Sequence, residues 1–290
     1  MAVTRSGPAA GASVVVKLGG DVLEGPTLMA VAADLWDAAS GTDPDDARNA
    51  GATGRRLMVV HGGGPQATAM SERLGLVPHL VGGRRITDAA TLDVMKMIVA
   101  GRINVDLVAA LRALGVAAVG LAGSSGVVRA RRRPPRVVAG GGDTPFDFGL
   151  VGDVEDFDLD LFRLLGDAGY LPVLAALGAG DGGQVLNINA DVIASQLAVA
   201  VSASALVAVT AVGGVRRDKA DPATRIARLT ATEARAAIAA GRVVGGMIPK
   251  LEEAFAPLAA GVPAVHIVAP GEIARALAAP GTVGTMLVSG

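Results

Sequence analysis

Four lysines stand out in a chain whose other basic side chains are all arginine. Of its 26 Lys+Arg residues, only Lys17, Lys96, Lys219 and Lys250 are lysine. Two of them abut glycine-rich segments: Lys17 in "VVVKLGG" (14–20) and Lys250 in "GGMIPK" (245–250). An ammonium is a compact point charge that a planar guanidinium fork does not replace. In an arginine-rich chain these two positions therefore point to places that need a compact cation. The plain alternative for Lys17 is a solvated lysine on a glycine-containing strand-to-helix turn.

The neighbouring motifs suggest what such cations would face. Gly19 and Gly20 let backbone N–H groups approach an anion closely. A second strand-to-glycine junction, "HGGGP" (61–65), sets Gly63 and Gly64 before a helix starting near Pro65. N–H groups and a helix N-terminus would then converge there, although a permissive loop is the alternative. "NINAD" (187–191) puts Asn187, Asn189 and Asp191 at a helix start, where Asn189 or Asp191 could equally be a cap. "RRIT" (84–87) offers Arg85 as a carboxylate-binding fork, or as one of a solvated pair. His61 lies beside the glycines, and a histidine without a partner reads as structural. The inventory is thus cations and N–H donors with one orienting aspartate, and neither a nucleophile nor a histidine base. That set suits phosphoryl transfer to an acceptor that is already an anion.

Several function classes fall away. There is no G-x-x-x-x-G-K-[ST], and no G-x-G-x-x-G between a strand and a helix, which disfavours P-loop kinases and nicotinamide dehydrogenases. Cysteine is absent, so disulfide and thiolate chemistry are excluded. A net charge of −1 argues against a general nucleic-acid binder. The basic run "RARRRPPR" (129–136) reads as a solvated hairpin or loop bending at its prolines. Residues 192–215 carry no charge over a membrane-spanning length. Ser202, Ser204 and a β-branched second half ending in Gly-Gly make them a buried helix followed by a buried strand.

Positioning falls to alternating elements. Short β-rich apolar runs at 13–18, 56–60, 116–121, 171–176, 205–210 and 264–268 predict strands. Helical patterns lie near 27–39, 65–74, 88–100, 103–114, 158–168, 190–201, 231–240 and 250–260. The alternation predicts an α/β fold around a mostly parallel sheet, with 127–154 as a β-hairpin excursion. Residues 1–13 read as a flexible lead-in without a signal-peptide core, 41–55 as a surface loop, and "GAGDGG" (178–183) as a glycine-rich boundary between two lobes.

Taken together and in order, "VVVKLGG", "VVHGGGPQ", "GGRRITDAATLDVMKMIVAGRIN", "FGLVGDV", "NINAD" and "GGMIPK" resemble the amino acid kinase superfamily and, within it, the acetylglutamate kinase family. The likeness runs from Val14 to "GTVGTMLV" at the C-terminus. It implies a three-layer αβα sandwich of two lobes, with 14–180 binding the amino-acid substrate and mediating dimerisation, and 181–290 binding ATP. It assigns Lys17 and Lys250 to the transferring phosphoryl group and Asp191 to orienting both lysines. Gly63, Gly64, Arg85, Asn187 and Asn189 match substrate-binding positions. Gly19, Gly20, Ala211, Val212, Gly213, Gly214, Val215, Arg216, Arg242, Val243 and Val244 match nucleotide-binding ones. The implied reaction phosphorylates the γ-carboxylate of N-acetyl-L-glutamate in arginine biosynthesis. ATP enters with Mg²⁺ as a substrate complex, with no tightly bound cofactor and no protein-held metal. A cytoplasmic homodimer without nucleic-acid or membrane partners is expected, and regulation by a partner protein is left open.

The chain also departs from the family pattern. Relatives usually carry an aspartate where this chain has Ala211, which bears on nucleotide affinity. "GSSG" (123–126) replaces a "GKDG"-like turn, and the long N-terminal helix of arginine-inhibited hexameric relatives is missing, so insensitivity to arginine is expected. Two other readings stay open: a kinase for carrier-protein-linked aminoadipate or glutamate, docking an acidic carrier on "RARRRPPR", and a non-catalytic nucleotide- or amino-acid-sensing relative.

Overall fold

The computed structural model describes residues 12–40, 55–81, 84–137, 144–218, 221–243 and 247–290. The expected lead-in at 1–13 and loop at 41–55 lie almost wholly outside the described residues, as do Lys219 and Val244. Along the chain the strands are β1 (Ser13–Leu18), β2 (Arg56–His61), β3 (Leu80–Val81), β4 (Arg84–Arg85), β5 (Ala118–Ala122), β6 (Val128–Arg132) and β7 (Gly152–Phe157). They continue with β8 (Leu171–Ala175), β9 (Leu177–Ala179), β10 (Val185–Asn187), β11 (Ala205–Val209), β12 (Arg228–Thr230), β13 (Val265–Val268) and β14 (Thr285–Val288). The α-helices are α1 (Gly25–Ser40), α2 (Gly64–Arg73), α3 (Ala89–Met95), α4 (Asn104–Ala113), α5 (Leu159–Asp167), α6 (Ala190–Ala200), α7 (Ala231–Ala239), α8 (Met247–Ala259) and α9 (Ile273–Ala278).

Eight strands form one sheet in the order β12-β14-β13-β11-β1-β2-β8-β5. The run from β13 to β5 is parallel, whereas β14 is antiparallel to β13. A parallel sheet is covered on both faces, which is why its inner strands are continuous apolar runs. Alternation along β1 divides them: Val14, Val16 and Leu18 enter one core, and Val15 the other. The first core holds α1, α4 and α9, and the second holds α6, α7 and α8. The result is the expected αβα sandwich. Each fully buried valine contributes roughly 1.5–3 kcal/mol, enough to fix the register of β1.

Strand order turns at β1. The chain passes from β1 to β2 and out to β5, fills the gap with β8, and then returns to place β11 on the other side of β1. Ligands of open α/β sheets bind beyond the carboxyl ends of the strands at such a switch point. Lys17 stands there, near the end of β1.

The uncharged stretch 192–215 is the buried helix α6 followed by the buried strand β11, and among the described residues no helix is long and apolar enough to cross a membrane. The excursion at 127–154 is the antiparallel pair β6–β7. One expectation needs correction. In place of separate helices at 88–100 and 103–114, α3 and α4 join through a π-helical segment, Lys96–Ile103. Gly101 lies inside it, and the wide turn carries the helix on where a break was read.

Candidate active site

Period-two alternation sends Lys17 to the same face of the sheet as Val15, toward α6. Its stem is buried, and Nζ meets Asp191 Oδ1 at 2.7 Å. The local sequence places that carboxylate. Asn189 is the N-cap of α6, its Oδ1 accepting from the Asp191 amide at 2.8 Å. Asp191 therefore stands in the first helical turn, where the helix dipole favours negative charge.

Three loops meet above Lys17. The Gly19 amide donates to the Val209 carbonyl at 3.2 Å, fastening the turn after β1 to the end of β11. Asp21 Oδ2 accepts from the Ala211 amide at 3.1 Å, a second link between the same two loops. Gln66 Nε2 donates to the Gly20 carbonyl at 2.6 Å and ties in the turn after β2. A Cβ on Gly20 would lie 2.8 Å from Pro65 Cδ and 3.4 Å from Gly63 Cα, so the two glycine turns touch backbone to backbone. A Cβ on Gly64, by contrast, would meet nothing within 4 Å. That residue borders open space.

The loop after β11 is held from the other side. Gly213 and Gly214 have φ of +65° and +131°, and a Cβ on Gly213 would meet Ala269 Cβ at 2.7 Å. The Val215 amide donates to Thr285 Oγ1 at 2.8 Å, and its side chain is buried. Ala211 and Val212 remain exposed, and Arg216 Nη2 donates to the Val212 carbonyl. Beyond α7, Arg242 is exposed, whereas Val243 is a core residue.

Arg85 reaches the same cleft from a separate subassembly. The β3–β4 hairpin rests on a small cluster of Phe148 and Val151 packed with Val81, Ile86 and Phe146. Its Nη2 donates to the Gly64 carbonyl at 3.0 Å and to Thr68 Oγ1 at 2.6 Å, which aligns the guanidinium along the start of α2. Nη1 is buried without a protein partner, and burial lowers the pKa of the group. Asn187 Nδ2 donates to the hydroxyl of the fully buried Thr87 at 3.0 Å, so its amide lies two residues along from Arg85.

Lys250 sits in the first turn of α8 and is half-buried. Glu253, one helical turn on, shares its face. Burial raises the Glu253 pKa, the Asp191 charge adds to that rise, and Arg84 and Lys17 oppose it. Among the described residues the ion pair of Asp191 is with Lys17, and on α8 it is Glu253, one turn beyond Lys250, that feels the charges of both.

The structure thus brings Lys17, Asp191, the glycine turns, Arg85 and Asn187 to one edge of the sheet. It adds Asp21, Gln66, Thr68 and Thr87, which no sequence signal singled out. Chemically the edge offers cations and N–H donors to anions. Among the described residues no group of three or more His, Asp or Glu is placed to hold a metal ion.

The chain as a whole is similar to known proteins. The amino acid kinase family pattern covers residues 12–269. The chain is 52% identical to an acetylglutamate kinase of Sorangium cellulosum over 98% of its length and 96% of that protein. It is 51% identical to an acetylglutamate kinase of Anaeromyxobacter dehalogenans over 96% of its length and 99% of that protein. A crystal structure of N-acetylglutamate synthase from Neisseria gonorrhoeae, complexed with coenzyme A and N-acetyl-glutamate, superposes with a TM-score of 0.77 at 26% identity. That match covers 96% of this chain and 60% of the longer synthase chain. This chain belongs to the amino acid kinase family.

Proposed function

We propose that the chain transfers the γ-phosphoryl group of ATP to the γ-carboxylate of N-acetyl-L-glutamate, giving N-acetylglutamyl phosphate and ADP in arginine biosynthesis. The relatives named acetylglutamate kinase, at 52% and 51% identity over nearly the whole chain, support the substrate. The observation that carries the chemistry is the Lys17–Asp191 pair, its lysine stem buried and its carboxylate partly exposed, beside two touching glycine turns.

A γ-carboxylate oxygen attacks the γ-phosphorus. As that P–O bond forms, the bond from phosphorus to the β–γ bridging oxygen breaks and its electron pair leaves with ADP. No proton has to move, so the transfer calls for no general base. What must be offset is repulsion between an anionic acceptor and an anionic phosphoryl group, and preorganised cations and N–H groups do this without reorganising. Lys17 supplies one charge, Asp191 fixes its position, and Lys250 supplies the other. Gly20, Gly63 and Gly64 offer main-chain N–H groups. The orphaned Nη1 of Arg85 suits the α-carboxylate, with Asn187 and Asn189 as amide contacts. The nucleotide lies along 211–216 with Gly19 and Arg242 nearby. Mg²⁺ arrives with ATP and shields its phosphates.

The sheet supports a division of labour between lobes. All its strands from residues 14–180 lie on one side of the β1–β11 boundary, and all those from 181–290 on the other. We assign the amino acid to the first set and the nucleotide to the second, and expect a homodimer. Against the carrier-linked alternative, three arginines of the basic run, Arg129, Arg132 and Arg133, already pair with Asp156, Asp147 and Asp153. Purified protein with ATP and Mg²⁺ tests the proposal: ADP release should depend on free N-acetyl-L-glutamate. Release with a carrier-linked substrate alone, or nucleotide binding without turnover, would contradict it.

A further inference from the structure

His61 does not act alone. It is fully buried at the end of β2, and its Nδ1 lies 3.0 Å from the carbonyl of Gly62. Its Nε2 lies 2.9 Å from Asn104 Nδ2, and that same amide nitrogen donates to the Val173 carbonyl at 2.9 Å. Donor and acceptor roles follow from the partners. A carbonyl only accepts, so Nδ1 carries the proton. An amide NH₂ only donates, so Nε2 is the bare nitrogen. Both hydrogens of Asn104 are then used, and its Oδ1 faces Gly120, where a Cβ would approach it to 2.1 Å. A charged ring would set N–H against N–H. Desolvation by burial acts in the same direction and lowers the His61 pKa to about 4.

The pair grips the second glycine turn. Asn104 begins α4 directly after the π-helical segment. From that segment Ile103 Cδ1 and Val99 Cγ2 fill the space beside Gly63, where a Cβ would meet them at 2.4 and 3.2 Å. The turn is therefore fixed at two consecutive residues, by a hydrogen bond to the Gly62 carbonyl and by apolar contact at Gly63. π-helical turns are often found at functional sites, and here the wide turn leads directly into the residue that holds His61.

We infer that His61 and Asn104 form a buried positioning pair that sets the Gly62–Gly64 main chain for phosphoryl transfer. The inference rests on the kinase reading above for what the turn does, but the ring's proton position is independent of it. The pair touches no substrate and acts through the peptide groups it holds. Displacing reacting or donor groups by about 1 Å costs on the order of 10²-fold in rate. Loss of the pair should therefore lower kcat, with little change in the KM for ATP.

Two measurements on the full-length protein test this. Long-range ¹⁵N–¹H spectra of wild type, assigned with His61→Gln, should show His61 with a protonated Nδ1 and a bare Nε2; a protonated Nε2 would overturn the inference. Gly120→Ala, which pushes on Asn104 from β5 while keeping every hydrogen-bonding group, should lower kcat about 10-fold or more with the ATP KM within about twofold. Asn104→Ala should do the same. Wild-type kcat in a folded Gly120→Ala protein would overturn the inference, and if Asn104→Ala does not fold, the Gly120→Ala result decides. Wild type that fails to turn over N-acetyl-L-glutamate would instead refute the proposed function, which separates the two failures.

Discussion

Two regions of this molecule are built from opposite charges, and they use them differently. In the hairpin β6–β7, Arg129 pairs with Asp156 and Arg132 with Asp147, each partner more than half exposed. In the cleft, Lys17 pairs with Asp191 with side chains 11% and 32% exposed. Those two pairs are screened by water and stabilise by about 1 kcal/mol at most, whereas the third hairpin pair, Arg133–Asp153, is as sheltered as the cleft pair, at 7% and 30%. The cleft pair is dry enough for its field to persist, and a helix cap, a strand register and two glycine turns fix its geometry. The residue types follow the same division. Arginine forks decorate the hairpin, and the compact ammonium stands where an anion must approach.

If that contrast is right, substitutions in the two regions should differ in kind as well as in size. Arg85→Ala, which removes the fork at the edge of the cleft, should raise the KM for N-acetyl-L-glutamate about 10- to 100-fold and leave the ATP KM within about twofold. This is the scale of a lost charge-assisted contact to one substrate. Steady-state kinetics with each substrate varied in turn would show it, and equal rises in both would break the assignment. His61 sharpens the contrast through pH. Its folded pKa is lowered to about 4, so between pH 6.5 and 4 the unfolded chain binds a proton that the native state does not. Stability from the neutral ring is therefore present above pH 6.5 and is lost as pH falls, by up to about 3 kcal/mol. His61→Gln should flatten the acid side of a urea-midpoint profile relative to wild type. His266, lowered in the same direction, and Asp34 and Glu253, raised, are common to both proteins and cancel. Parallel profiles would contradict the placement of His61. The smallest effect belongs to the hairpin: Arg132→Ala should change stability by less than about 1 kcal/mol and leave kcat unaltered. A kinetic defect there would mean that the basic run takes part in the reaction.

How much of this was legible in the sequence depended on distance along the chain. β1, β2, β8, β11 and β13 could be read because strands buried on both faces are continuous apolar runs. β3, β4, β12 and α9 could not, being too short to show a period. The cations and glycine turns could be read because each motif is local. The ties between motifs could not: Gln66 reaches Gly20, Asp21 reaches Ala211 and Asn104 reaches His61 across 46, 190 and 43 residues. His61 read as structural for lack of a visible partner, and its partner lies at the end of a π turn that sequence periodicity does not encode. The arginine run read as a solvated hairpin or loop bending at its prolines; it begins as strand β6, but Arg133 is buried, Arg136 beyond the prolines still bridges to Phe146, and the acidic partners lie on the return strand and the connection to it.

The central claim is that Lys17 acts as a fixed point charge on the phosphoryl group in transfer, and Lys17→Arg tests it most directly. The substitution keeps the charge and moves it, because a longer planar fork cannot occupy the place of the ammonium beside Asp191. kcat should fall by about 10²-fold or more, the scale of one lost preorganised contact. The KM for N-acetyl-L-glutamate should stay within about twofold, and Asp191→Asn should give the same pattern. Lys17→Arg retaining more than about a third of wild-type kcat, well outside that scale, would contradict the claim and leave Lys17 an ordinary buried-stem lysine.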